Sequence, residues 1–304
     1  MEKIVTLALN PAIDKSSSVD YVVAERKLFC KTPLFEPGGG GVNVCRAVKK
    51  LGGESLLLYP AGGLTGKKLQ ELLDEEGLNH LPVPIEGVNR ESLIILEEST
   101  GQQYRFGMPG PKLKKNEWES FLQILTVMDP SPDYVVASGS IPPGAPSDFY
   151  AQVARVGKKK GTKTIIDVSG KALKKALEEG VFLIKPNVRE FRELVGEDIK
   201  EESQIKAEAQ KMVKSGHIKL LLKELRCNSL DDLLAKVGTG VVTVHVLVKA
   251  LQPPEFREEK VRANESTPQE LAAQMVSQQK FGGHGGDFGI TIDGIDNMLV
   301  KISK

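Results

Sequence analysis

The sequence predicts an α/β fold: a parallel β-sheet with helices on both faces, a small β lid, and a C-terminal part of different texture. Three observations carry this expectation. Short apolar runs alternate with helical patterns through the first two-thirds of the chain, and repeated β-then-α units build parallel sheets covered on both faces. A second set of β-rich, more polar segments has no helix between neighbours, as the strands of a small antiparallel lid sheet would. Beyond about residue 217 no alternating unit is recognisable.

Ile4–Leu9 and Leu56–Tyr59 are the first buried-strand candidates, and helical patterns with later glycine stops cover Asn43–Leu51 and Leu64–Glu76. Tyr134–Ala137, Thr164–Ile166 and Phe182–Ile184 continue the strand series. They alternate with helices expected over Pro146–Lys158, Lys171–Glu179 and Glu201–Lys214. Ser17–Val23, Lys27–Phe35 and Ser92–Glu97, with Gln103–Phe106 as a fourth, are the lid candidates, placing lid strands near residues 17–36 and 90–107. This organisation assigns residues 1–217 to one domain and residues 218–304 to another. In the second, VVTVHVLVKAL suits a strand or a buried helix, Gln252–Thr267 reads as a polar loop, and Ile290–Ile302 as one or two strands, an α+β segment.

Composition narrows the function classes. The 304 residues are 40% hydrophobic and 27% charged, ordinary for a soluble globular protein. A formal net charge of +1 gives no reason to expect a nucleic-acid or anionic-membrane partner. No apolar run approaches the roughly 20 residues that span a bilayer. The start MEKIVTLALNPAID has no signal-peptide pattern, and the three cysteines lack CxxC spacing, so a cytoplasmic protein with free thiols is expected. The four histidines are scattered and outline no metal site.

Residues 36–53, EPGGGGVNVCRAVKKLGG, hold the strongest chemical signal. Gly38–Gly41 permit positive φ and close backbone approach, and the helix that follows near Asn43 offers free N–H groups to an anionic or hydroxylated ligand. Taken alone, the run is equally a glycine-rich turn without a ligand. Asp14 follows the first strand, where a parallel sheet places ligands, and a carboxylate there can accept two sugar hydroxyls. Lys27, Arg90 and Arg105 lie in or beside the lid strands. Each alone reads as a solvated charge, but together with the glycine run they suit a phosphorylated sugar. GSIPPG, residues 139–144, is a tight turn by composition. Lys185, Asn187 and Glu190 follow the strand candidate Phe182–Ile184. They suit nucleotide phosphates and, through water, a magnesium ion on Glu190, while Asn187 alone could be a helix N-cap. GGLTGKK, residues 62–68, is not a P-loop, because Ala61 and Lys68 occupy two required positions.

ALNPAID, FEPGGGGVNVCRAVKKLGG, PAGGLTGKKL, GQQYRFGMPG, SGSIPPG and IKPNVREF resemble, in order and spacing, the PfkB family of ribokinase-like sugar kinases. Within it the resemblance is nearest to the minor ATP-dependent 6-phosphofructokinases. It implies a three-layer fold with a β lid, incomplete here, and a homodimer through the lid sheets. It also implies ATP and magnesium as cofactors and a phosphosugar as substrate. Relatives acting on fructose 1-phosphate or tagatose 6-phosphate usually carry lysine where Gly40 stands, which favours fructose 6-phosphate. By the resemblance, Asp14, Gly39, Gly40 and Asn43 hold the sugar, Lys27, Arg90 and Arg105 contact a phosphate, and Lys185, Asn187 and Glu190 face nucleotide and magnesium.

The family's G-A-G-D string, which carries the base, is not found. VGTGVVT, residues 237–243, has Val241 in the acid's place. GGDFG, residues 285–289, offers Asp287 as a weak catalytic candidate, but strand-like GITI follows it rather than a helix. Impaired turnover is therefore expected. SLDDLLAKVGTGVVTVHVLVKAL and GITIDGIDNMLVKISK resemble the regulatory half of long (p)ppGpp synthetase/hydrolases. That leaves a non-catalytic phosphosugar-binding or regulatory fusion, or a rearrangement product, as the alternatives.

Overall fold

The computed structural model describes residues 3–50 and 52–196, and four helical residues beyond, Gln204, Glu208, Lys211 and Met212. Asp287, Val241 and the rest of the 218–304 segment lie outside the described residues, as does most of the helix expected over Glu201–Lys214.

Six parallel strands form the main sheet: β1 (Ile4–Leu7), β4 (Leu56–Ala61), β5 (His80–Pro84), β8 (Tyr134–Ser138), β9 (Lys163–Asp167) and β10 (Leu183–Ile184), in the order β10-β9-β8-β1-β4-β5. Their alternating side chains feed two cores. Val5, Leu7 and Leu58 point to one face, against Trp118 and Phe121 of α3 (Lys115–Val127), Phe149 and Val153 of α4 (Phe149–Lys160), and Leu173 and Leu177 of α5 (Gly170–Glu179). Ala8, Leu57 and Tyr59 point to the other, against Val42 and Cys45 of α1 (Gly40–Lys50) and Leu69 and Leu73 of α2 (Gly63–Glu75). Strands buried on both faces read as continuous apolar runs, which is why the sequence exposes them. The three-layer α/β expectation holds.

A second, four-stranded sheet has the order β3-β2-β6-β7, with β2 (Ala12–Val19), β3 (Leu34–Gly38), β6 (Arg90–Glu97) and β7 (Gln103–Gly107). β2 runs antiparallel to β3 and parallel to β6, so this lid is a mixed sheet, not an antiparallel one. Two sequence expectations are corrected here. The expected strand over Ser17–Val23 is the end of a longer one, β2, which begins at Ala12 ahead of Asp14 and stops at Val19, because the chain turns straight from β1 into the lid. The expected strand over Lys27–Phe35 begins only at Leu34, and residues 20–33 form a strap across the lid. Buried Glu97 holds the strap: its carboxylate accepts from Val22 N at 2.8 Å, Thr100 Oγ1 at 2.8 Å and Tyr104 Oη at 3.2 Å. These donors keep it below the usual carboxylate range.

α1 ties lid to core. Arg46 donates to Glu36 of β3 at 3.2 Å and to Glu76 at the end of α2 at 2.8 Å. No helix among the described residues is long and apolar enough to cross a membrane.

Candidate functional site

Strand register brings the lid's polar groups together. Asp14 of β2 pairs with Glu36 and Ser92, Arg90 opens β6 opposite Ala12, and Arg105 of β7 pairs with Ile94. Asp14, Arg90 and Arg105 thus stand on three adjacent strands. Asn43, buried in the first turn of α1, and Gly39 complete a pocket of about 210 Å³. The glycine run makes the approach possible. A Cβ on Gly38 would fall 2.2 Å from Asp14 Oδ2, and Gly39 adopts a φ of +108° that side-chain-bearing residues avoid.

A larger cavity of about 740 Å³ shares Gly39 and Arg90 with the first. Its floor is the C-terminal end of the main sheet. Parallel register sets Ser138 of β8 beside Asp167 of β9, and Lys185 follows β10 alongside. Ser138 Oγ donates to Asp167 Oδ2 at 3.0 Å, and Lys185 Nζ meets Asp167 Oδ1 at 3.1 Å. Burial nevertheless pushes the Asp167 carboxyl above its ordinary range. Lys185 and the Ser138 hydroxyl oppose that shift, and the nearby negative charge of Glu190 adds to it. Gly40 borders the same cavity, and a Cβ there would lie 2.3 Å from Ser138 Oγ. Between the two cavities Arg90 donates to the Asn10 carbonyl from Nε and Nη2, at 3.3 and 3.2 Å, and to the Met108 carbonyl at 3.4 Å. Asn10 Nδ2 in turn donates to Ser140 Oγ at 2.9 Å.

Asn187 and Glu190 line the larger cavity and also cap α6 (Val188–Val195) reciprocally. Glu190 N donates to Asn187 Oδ1, and Asn187 N donates to Glu190 Oε2, each at 2.9 Å. The capping role and the position facing the cavity therefore coexist.

Of the residues singled out in the sequence, Asp14, Gly39, Asn43, Arg90 and Arg105 share the smaller pocket. Gly40, Lys185, Asn187 and Glu190 share the larger cavity. Lys27 joins neither. It sits on the strap beside a separate lid cavity of about 450 Å³, with Nζ 5.0 Å from the Phe29 ring centroid. Sequence reasoning missed Asp167, Ser138 and Asn10. A carboxylate closing the apolar run TIID, at the end of a strand in a parallel sheet, was the available signal for Asp167. Among the described residues no group of three or more His, Cys, Asp or Glu side chains could hold a metal ion directly. The arrangement offers a small cationic and carboxylate-bearing pocket beside a cavity of nucleotide size.

A sequence model described as pfkB family carbohydrate kinase matches residues 6–224. The ATP-dependent 6-phosphofructokinase isozyme 2 of Mycobacterium tuberculosis (strain H37Rv) is 42% identical over 223 residues, 73% of this chain and 66% of that protein. The chain thus spans about two-thirds of that relative's length. The Escherichia coli (strain K12) protein of the same name is 37% identical over 226 residues, covering 74% of this chain and 73% of its own. A crystal structure of phosphofructokinase-2 from Escherichia coli, in complex with potassium, superposes with a TM-score of 0.69 at 38% identity over 72% of each chain.

Proposed function

The chain belongs to the pfkB family of carbohydrate kinases, and from that premise we propose that its two adjoining cavities are the acceptor and donor halves of a sugar-phosphate kinase site. Fructose 6-phosphate would occupy the lid pocket and ATP with magnesium the cavity at the strand ends. The observation that carries this reading is the convergence of Asp14, Asn43, Arg90 and Arg105 on one pocket that shares Gly39 and Arg90 with the larger cavity.

In this reading the Asp14 carboxylate accepts hydroxyls of the sugar, while the Arg90 and Arg105 guanidinium groups clamp its phosphate through charge-assisted bonds. The Gly39–Gly40 backbone and Asn43 hold the remaining hydroxyls. Lys185 and Asn187 face the donor's phosphates, and Glu190 holds magnesium through water. When bound, ATP supplies the phosphoryl group and magnesium neutralises the charge that develops on it. Lys27 does not line this pocket, so Arg90 and Arg105 are the phosphate contacts proposed. Tyr21, Phe29, Phe35 and Phe106 are large apolar side chains left exposed on the lid, which supports a homodimer through the lid sheets. A cytoplasmic site of action belongs to the same proposal.

Turnover by this chain is proposed to be poor. No G-A-G-D string occurs in its 304 residues, and Val241 cannot accept a proton. Loss of a positioned base costs roughly 10²–10⁴-fold, and loss of the donors to the transferring group roughly 10²–10³-fold more. The same observation favours a second reading, a non-catalytic phosphosugar-binding protein whose 218–304 segment is regulatory.

Calorimetric titration with fructose 6-phosphate, beside a coupled phosphofructokinase assay with ATP and magnesium, tests these proposals. Binding with little turnover is expected. Absence of phosphosugar binding refutes the acceptor site. Turnover at an ordinary kinase rate of about 1–100 s⁻¹ refutes the impairment.

A further inference from the structure

The glycine-rich turn between β4 and α2 has no role in the reading above. It resembles a phosphate loop only superficially and lines neither cavity of the site. Its glycines face a chain segment instead. A Cβ on Gly62 would sit 2.0 Å from Gly87 O and 2.6 Å from Ile85 O, and one on Gly66 would sit 2.8 Å from Asn89 Oδ1. The turn is hollowed out to receive residues 85–89.

Asn89 is the residue that fills it. Its relative exposure is 3%, and each of its four polar atoms is bonded within residues 60–65, where β4 passes through Gly62 into the first turn of α2. Gly62 N donates to Asn89 Oδ1 at 2.7 Å, and Asn89 Nδ2 donates to the Pro60 carbonyl at 2.9 Å. Thr65 Oγ1 donates to the Asn89 carbonyl at 2.8 Å, and Asn89 N donates to Gly62 O at 3.3 Å. The next residue is Arg90, the first of β6, whose guanidinium stands in the wall between the two cavities. A buried amide with every group satisfied is costly to disturb and holds its backbone to one place.

The geometry points to Asn89 as a positioning residue. Pinned in the Gly62–Gly66 turn, it fixes where the Arg90 side chain leaves the main body and thereby sets the affinity of the lid pocket for a phosphosugar. The inference rests on the phosphosugar reading above. It gives the turn a mechanical role in the lid in place of a phosphate-binding one.

The test uses the full chain with Asn89→Ala, and with Thr65→Val as a milder variant that removes one bond of the four. Fructose 6-phosphate is titrated calorimetrically into each, with and without Arg90→Ala. Amide hydrogen exchange is followed over residues 90–97 and over β8. Asn89→Ala is expected to bind about tenfold or more weakly and Thr65→Val about threefold more weakly. Neither is expected to weaken binding further once Arg90 is alanine, since residues acting through one another are not additive. Exchange over residues 90–97 should accelerate while β8 is unchanged. If Asn89→Ala does not fold, Thr65→Val decides the same questions. The inference is overturned if both variants bind within twofold of wild type, if exchange over residues 90–97 is unaltered, or if their losses persist undiminished beside Arg90→Ala. Wild-type protein that fails to bind fructose 6-phosphate overturns the phosphosugar reading as well, whereas wild-type binding insensitive to Asn89 overturns this inference alone.

Discussion

Replacing Gly40 with alanine probes the place where α1 meets the end of β8. The new Cβ would lie 2.3 Å from Ser138 Oγ, 2.9 Å from Gly139 N and 3.0 Å from Ser138 C. Ordinary contact requires the hydroxyl to retreat by about 1 Å, since carbon and oxygen atoms do not pack much closer than about 3.3 Å. A retreat of that size strains its 3.0 Å bond to Asp167. Losing a hydrogen bond to a charged group costs about 1.5–3 kcal/mol, and forcing apart two backbone neighbours adds about 1 kcal/mol. The sum of about 3 kcal/mol corresponds to roughly two decades in an equilibrium constant. Urea denaturation and separate calorimetric titrations of fructose 6-phosphate and ATP are the assays. The expected result is a lower midpoint together with weaker binding of at least one ligand. A variant that melts and binds like wild type would refute the claim that this close approach matters.

Other perturbations follow from the same structure. Because the folded-state value of Glu97 is depressed, its contribution to stability is present above the unfolded carboxylate value and is lost as pH falls through the folded one. Limited proteolysis within residues 20–33 should therefore accelerate on acidification in wild type and already be fast at neutral pH in Glu97→Ala. Asp167 behaves oppositely. Its raised value means that its favourable contribution is present below the unfolded value and lost as pH rises through the folded one, so Asp167→Asn should gain stability relative to wild type as pH rises. Denaturant midpoints measured from pH 4 to 8 will show this, and a variant that loses ground with rising pH contradicts it. Phe149 is fully buried, with ring centroids of Trp118, Phe121 and Tyr150 at 6.3, 6.4 and 5.5 Å, so Phe149→Ala should cost about 3–5 kcal/mol in a denaturant melt.

The sequence exposed the central strands because burial on both faces leaves uninterrupted apolar runs, as in Tyr134–Ala137 and Leu56–Tyr59. It concealed β5, whose HLPVP carries two prolines. They are tolerated because β5 is the outermost strand beyond β4, where an amide can be spared. It also concealed α3, which begins at Lys115 with Lys114 as its N-cap and has no serine, threonine, aspartate or asparagine there; buried Glu117 supplies the first turn's acceptor by taking the Lys114 and Glu86 amides. In the site, residues carried by short local strings were legible: the glycine run, Asn43, and Lys185 with Asn187 and Glu190. Asp167 was not, since its meeting with Lys185 depends on the register of β9 against β10. Nor was the displacement of Lys27, which follows from where the strap leaves β2.

Gly39 and Arg90 belong to the walls of both cavities. A ligand that shifts either of them changes the shape and charge its neighbour meets, and the free energy of that coupling is one quantity shared by the two sites. Whatever factor a nucleotide imposes on phosphosugar affinity through this common wall, the phosphosugar must impose on nucleotide affinity in return. The reciprocity needs no chemical turnover. A chain that binds both ligands would show it at equilibrium even if it transfers no phosphoryl group.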